Sequence, residues 1–111
     1  MKGALTIIIL SIVIFTACSS TGQHDELAQC LADNGVRMYG TYWCPHCQEQ
    51  KADFGKSWRL VPYVECATSD GGQTRICEDE GIEGYPTWVF PDGTRQSGKL
   101  SFETLRNLGG C

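Results

Sequence analysis

Apolar residues recur along this chain with two spacings, one typical of amphipathic helices and the other of half-buried strands. Between residues 25 and 33, an acidic start, apolar positions at helical spacing and the following Asn34-Gly35 predict a short amphipathic helix. Residues 36–40 are rich in β-forming side chains and predict a strand that runs directly into a helix over residues 45–54. Pro45 suits the first turn of that helix, where its missing N–H is not needed.

The rest of the chain continues this alternation and then forms a hairpin. The expected elements are a strand at 61–65, a helix at 73–80, strands at 87–90 and 94–97, and a helix at 102–108. Pro91-Asp92-Gly93 is a hairpin turn signal between the last two strands. Ser101 is a good N-cap for the last helix, and Gly109-Gly110 stops it. This order predicts an α/β fold with a four-stranded mixed sheet flanked by helices.

The N-terminus has the pattern of an export signal. Lys2 precedes an uncharged apolar run over residues 4–15, which is shorter than the about 20 residues that a membrane-spanning helix needs. Small residues stand directly before Cys18, as in the bacterial lipoprotein processing site, where that cysteine is lipidated and becomes the new N-terminus. An ordinary signal peptide cut nearby and an uncleaved short anchor are the alternatives.

Without the signal sequence, the chain is long enough for one compact domain. We expect a lipoprotein signal peptide over residues 1–17, a tether over 18–23 and a domain over 24–111. All three interpretations of the N-terminus place the domain outside the cytoplasm, and lipidation would anchor it to a membrane of the cell envelope, facing the periplasm. Lys and Arg number 9 against 13 for Asp and Glu, so there is no basic surface to favour nucleic acid as a partner. No cofactor is expected.

Seven cysteines in 111 residues point to an oxidising compartment or to metal. Cys44-Pro45-His46-Cys47 lies where the first predicted strand feeds a helix, and a helix N-terminus stabilises a thiolate. We therefore expect Cys44 to be the accessible thiol that attacks, and Cys47, one turn deeper, to resolve the mixed disulfide. Pro45 and His46 are expected to tune the Cys44 thiolate. Half of a zinc site is the alternative use of this motif.

The other cysteines are assigned structural roles. Ten residues separate Cys66 from Cys77, which fits the tight second knuckle of a zinc site poorly, and in an exported protein a disulfide is the simpler account. That bridge would contribute on the order of 3 kcal/mol in the chain-entropy description. Cys30 and Cys111 are either free or joined in a second bridge. Lipidation of Cys18 would leave six of the seven cysteines, an even number, so that these two could pair.

Gly84-Tyr85-Pro86-Thr87 opens the third predicted strand, a position that tolerates proline. Beside a dithiol, a cis Tyr85–Pro86 bond would leave backbone groups of Tyr85 free to pair with an extended substrate chain. A trans proline that merely starts the strand is the alternative. Trp43 adjoins Cys44 and would form part of an apolar rim, so Trp43, Tyr85 and Pro86 are the predicted substrate-binding residues.

With these motifs the chain resembles the thioredoxin superfamily over nearly all of the sequence that follows the signal. It is more similar still to the thioredoxin-like domain fused to bacterial and plant homologues of vitamin K epoxide reductase. The resemblance lies in residues 38–47, MYGTYWCPHC, in 61–66, VPYVEC, and in 84–88, GYPTW. It implies a thioredoxin fold, an extra disulfide at Cys66 and Cys77, and electron transfer from substrate cysteines to a membrane-embedded, quinone-coupled partner.

One departure from this pattern bears on the direction of electron flow. Thioredoxins place a buried acid six residues before the first redox cysteine, and this chain has Met38 there. Its absence favours an oxidant of cysteine-containing exported proteins over an efficient reductase. The alternatives are a disulfide reductase or isomerase, and a metal-binding lipoprotein that delivers copper through Cys44, His46 and Cys47.

Overall fold

The computed structural model describes residues 21–111 and, before them, residue 3 and residues 11–14. The predicted processing site and lipid attachment at Cys18 lie outside the described residues, as do most of the predicted signal peptide over 1–17 and half of the tether over 18–23. Within the described ranges, no helix has both the length and the apolar character needed to cross a membrane.

Four helices, four strands and one 3-10 helix make up the described domain. In chain order they are α1 Asp25–Asp33, β1 Arg37–Gly40, α2 Pro45–Phe54, a 3-10 helix over Gly55–Leu60, β2 Tyr63–Glu65, α3 Arg75–Glu80, β3 Thr87–Val89, β4 Arg95–Ser97 and α4 Phe102–Gly109. This is the order that the sequence predicts, with each boundary within about two residues. The 3-10 helix was not predicted, because no apolar period marks it.

The strands form one sheet in the order β2-β1-β3-β4. β1 runs parallel to β2, with Gly40 in register with Glu65, while β3 is antiparallel to both β1 and β4. A parallel pair that continues into an antiparallel hairpin, with flanking helices, is a thioredoxin-like fold. The predicted fold class is therefore confirmed.

Successive side chains of β1 face opposite sides of the sheet, and two hydrophobic clusters result. The larger cluster contains Met38 and residues of β3, α1, α2 and α4. Its largest buried side chains are Leu31, Phe54, Trp88, Phe90 and Leu105. Tyr39 belongs to the smaller cluster, where it packs with Ile82, with a cysteine of α3 and with the cysteine that directly follows β2. α2 therefore packs on the face of the sheet that Met38 occupies.

The buried side chain of Gln50 anchors α2 in this position. Its carbonyl oxygen accepts from the indole N–H of Trp88 at 3.1 Å and from the backbone N–H of Leu100 at 2.8 Å. Its amide nitrogen donates to the Leu100 carbonyl at 3.1 Å. Because these three hydrogen bonds satisfy a buried polar group, they hold the helix at one position along the sheet.

Candidate functional site

Cys44 occupies the N-cap of α2, directly after the loop that leaves β1. Its backbone is extended, Pro45 follows at the first helical position, and its sulfur accepts a hydrogen bond from the Cys47 N–H at 3.4 Å. Ser and Asp cap helices in the same way, with a side-chain acceptor over the free N–H groups of the first turn. In a cysteine this geometry stabilises a sulfur anion.

Cys44 and Cys47 are both free thiols in the structure. Each is only 5% exposed, so accessible surface does not distinguish them, contrary to our expectation that Cys44 is the accessible thiol. Their surroundings differ instead. The Cys44 thiol lies 3.5 Å from the Tyr85 carbonyl oxygen at the edge of the site, whereas Cys47 lies deeper, against β1.

The environment of Cys47 favours its neutral form. Burial, the hydrogen bond with Cys44 and, to a smaller extent, the charges of Cys44 and Glu65 raise the pKa of Cys47 to about 12, although a hydrogen bond from the Thr41 backbone N–H opposes them. Near neutral pH Cys47 is therefore a thiol and not a thiolate. This supports the predicted order of events, in which Cys44 attacks first and Cys47 resolves.

His46, predicted to tune the thiolate, projects away from the helix. Its Nδ1 lies 3.3 Å from Oε2 of Glu49, and the two side chains are 67% and 55% exposed. Within residues 21–111 the hydrogen bond of its ring is with Glu49 and not with the Cys44 sulfur. An influence of His46 on Cys44 therefore acts through space and is open to screening by solvent.

The predicted substrate-binding residues lie around Cys44. The Tyr85–Pro86 peptide bond is cis, as predicted. The ring of Tyr85 meets that of Trp43 edge to face, with centroids 6.0 Å apart. Pro86 is fully buried, whereas Trp43 is 55% exposed. Pro86 therefore shapes the loop, and the exposed aromatic surface beside Cys44 comes from Trp43 and its neighbour Tyr42.

A cavity of about 280 Å³ opens beside Cys47. It is lined by Thr41, Tyr42, Cys47, Gln48, Lys51, Trp58, Tyr63 and Glu65. The carboxylate of Glu65 accepts hydrogen bonds from the Tyr42 backbone N–H, at 2.8 Å, and from the Tyr63 hydroxyl. Sequence reasoning missed Glu65. The available signal was the alternation of Tyr63 and Glu65, which places both on one face of β2.

The remaining described cysteines form two disulfides. Cys66 and Cys77 are bonded, with Cα atoms 5.6 Å apart, in the cluster on the opposite side of the sheet from Met38. Cys30 and Cys111 are bonded with Cα atoms 6.1 Å apart, which ties α1 to the residues after α4. The Cys66–Cys77 bridge confirms the predicted pairing, and the Cys30–Cys111 bridge decides between the two alternatives that the sequence left open. Because these four sulfurs are in disulfide bonds, they are not available as metal ligands. The described residues contain no group of three or more His, Cys, Asp or Glu able to hold a metal ion.

Comparison with known proteins adds a relative whose name states its chemistry. No protein-family profile matches the chain. The chain is 41% identical over 98 residues to a thiol-disulfide oxidoreductase, LTO1 of Arabidopsis thaliana. The match covers 83% of this chain and 26% of the relative, so this chain spans about a quarter of the relative's length. This similarity supports a place among thiol–disulfide oxidoreductases.

Proposed function

We propose that this domain is a thiol–disulfide oxidoreductase that oxidises dithiols of exported proteins through Cys44 and Cys47. One observation carries the proposal. Of the six described cysteines, four are held in disulfides and two are free, and one of these two caps a helix beside the other. A dithiol kept apart from the structural bridges, with one sulfur at a helix N-terminus, is what thiol–disulfide exchange requires.

The chemistry proceeds from the oxidised form of the dithiol. A substrate thiolate attacks the Cys44 sulfur, the Cys44–Cys47 bond breaks, and Cys47 leaves with the bonding electron pair and takes up a proton. A second substrate thiolate then attacks the substrate sulfur of the mixed disulfide, and Cys44 leaves as a thiolate. The substrate gains a disulfide, and the domain retains two electrons and becomes the dithiol.

The loop around Tyr85 suits an extended substrate chain. The Tyr85 carbonyl lies beside the Cys44 sulfur and accepts a weak hydrogen bond from its S–H. A backbone N–H of the substrate would take the place of this S–H as the donor. Trp43 and Tyr42 present exposed aromatic surface next to the same sulfur, where apolar side chains flanking a substrate cysteine would pack. Pairing with the main chain and contacts with apolar side chains do not depend on one particular sequence, so they would allow the domain to bind many substrates.

The location and the electron acceptor are part of this proposal. The signal-like residues before Cys18 support lipid attachment at the extracytoplasmic face of a membrane, and the resemblance to domains fused to vitamin K epoxide reductase homologues supports a quinone-linked partner of that kind. Radiolabelled palmitate should label the expressed protein and should not label Cys18→Ser. Reoxidation of the dithiol by membranes should require quinone. Failure of either experiment removes that part of the proposal and leaves the dithiol chemistry.

A reductase or isomerase is the second candidate, and Glu65 is the observation that favours it. Met38 stands where thioredoxins have an acid, which favours an oxidant, yet Glu65 brings a carboxylate to the cavity of Cys47 from the adjacent strand. The reduction potential of the Cys44–Cys47 couple decides between the two directions. A value near or above about −150 mV supports the oxidant, and a value near about −270 mV the reductant.

A further inference from the structure

Glu65 and Cys47 come from different elements and meet at one cavity. Gly40 and Glu65 are in register in the parallel pair β1 and β2, so their side-chain positions point to the same face of the sheet. Cys47 packs on that face, since a Cβ built on Gly40 would lie 2.8 Å from its sulfur. The same Cβ would lie 3.1 Å from the ring edge of Tyr63, whose hydroxyl donates to Glu65.

We propose that Glu65 exchanges the proton of Cys47 during thiol–disulfide exchange, with Tyr63 holding its carboxylate in place. The inference rests on the proposed dithiol function and assigns a proton acceptor and donor to it. It is independent of the direction of electron flow, because the same proton must leave Cys47 in one direction and return to it in the other.

The cavity supplies the route between the two groups. Glu65, Tyr63 and Cys47 all line it, and so does Thr41. The Thr41 side chain is buried, and its hydroxyl has no hydrogen-bond partner among the described residues. A buried hydroxyl is rarely left unpaired, so this one is suited to a proton-carrying water or to a thiol during exchange. The titratable groups that line this cavity are the Cys47 thiol, the Glu65 carboxyl group, the hydroxyl groups of Tyr42 and Tyr63, and the Lys51 amine, which is the one cationic group among them.

In the resolving step, Glu65 acts as the base. Cys47 gives its proton to the Glu65 carboxylate, and the resulting thiolate attacks the Cys44 sulfur of the mixed disulfide. The bond from Cys44 to the bound thiol breaks, that sulfur leaves with the electron pair, and the Cys44–Cys47 disulfide forms. In reverse, a thiolate attacks Cys44, Cys47 leaves with the electron pair, and protonated Glu65 returns the proton.

The electrostatics of the two groups favour such an exchange. Burial raises the pKa of Cys47 to about 12, so it is a weak nucleophile without a base and a poor leaving group without an acid. Burial and the bond to Glu65 also raise the pKa of Tyr63, which keeps its hydroxyl protonated and donating. The donors from Tyr63 and the Tyr42 backbone fix the carboxylate at the cavity rather than in solvent.

The test follows the two steps separately with 5,5′-dithiobis(2-nitrobenzoate) added to the reduced protein in equimolar amount. Attack by Cys44 releases a first equivalent of thionitrobenzoate, and resolution by Cys47 releases a second. Glu65→Gln retains the shape and the acceptor oxygen and removes the ionisable group. It should slow the second release by at least about tenfold near neutral pH and leave the first within about twofold. Tyr63→Phe should slow the second release by less, and Glu103→Gln, which removes an exposed charge on α4, should change neither.

Each other outcome has a distinct meaning. If Glu65 acts only as a nearby charge, its removal lowers the pKa of Cys47 and speeds the second release, which would overturn the inference. If its role is structural, both releases slow together, and the pH dependence of their ratio between about pH 5 and 9 stays that of the unmodified protein, which would also overturn it. Absence of the first release would instead refute the dithiol function.

Discussion

Gly40 lies so close to Cys47 that any side chain on the glycine would meet the cysteine sulfur. Any side chain on Gly40 would place its Cβ 2.8 Å from that sulfur, closer than real Cβ atoms approach. The last residue of β1 is therefore a glycine for lack of space, since its φ does not require one. This close approach limits how deeply α2 packs, and with it the position of Cys47 in the cavity that Glu65 also lines.

Gly40→Ala is expected to destabilise the fold by about 1 to 3 kcal/mol, because it overpacks a buried site between the sheet and α2. Urea unfolding measures the change. Gly84→Ala is the matched control: its Cβ would meet nothing within 4 Å and its φ is not positive, so its effect should stay within about 1 kcal/mol. Equal losses in the two variants would contradict the contact argument.

Cys47→Ser should accumulate mixed disulfides with exported proteins, whereas Cys44→Ser should accumulate few. The reason is that Cys44 forms the intermolecular bond and Cys47 breaks it. Cells are treated with acid to stop thiol exchange and the free thiols are then alkylated near neutral pH, after which non-reducing electrophoresis and mass spectrometry identify the adducts. Equal trapping by both variants would mean that the assigned roles of the two cysteines are wrong.

His46→Ala should make the couple less oxidising by tens of millivolts, where about 30 mV corresponds to 1.4 kcal/mol for two electrons. Positive charge on His46 would stabilise a Cys44 thiolate through space, and hence the reduced form. Because the ring is exposed and faces Glu49, the effect should shrink as salt is raised. Glutathione equilibration at low and high ionic strength measures it. An unchanged potential at both would exclude His46 as a tuning residue.

Acid should weaken the attachment of α1 to the 3-10 helix. The Arg59 guanidinium, which donates to both carboxylate oxygens of Asp25 at 2.8 and 2.7 Å, holds the pKa of Asp25 well below its usual range. A carboxylate whose folded pKa is depressed adds stability above its unfolded pKa of about 3.9, and this is lost as pH falls toward the folded value.

Arg59→Gln should therefore lower stability at neutral pH and make it less dependent on acid below about pH 4. Urea midpoints measured across that pH range report the difference. Arg75→Gln is the control, since Arg75 pairs with Asp79 at 3.8 Å with both side chains largely exposed. If the two variants had the same pH profile, the Asp25 pair would not be the source of the acid response.

Local chemistry determined most of what the sequence revealed about this protein. Periodicity, caps and turn residues act between neighbours, so the order of elements, the helix that starts at Pro45 and the hairpin at residues 91–93 were all predictable. The dithiol was predictable for the same reason, since Cys44 and Cys47 are one helical turn apart wherever that helix lies. The Cys66–Cys77 bridge spans only 11 positions and was also anticipated.

Contacts between distant segments were decided by the tertiary structure. Glu65 reaches the cavity of Cys47 only because β2 pairs with β1 in the register that sets Glu65 beside Gly40, and a shift of one residue would turn it to the other face. The direction of His46 depends on where α2 sits, which Gln50 fixes through Trp88 and Leu100. The sequence therefore determined which sulfurs react, and the packing of α2 on the sheet decided which carboxylate lies at the cavity of the second one.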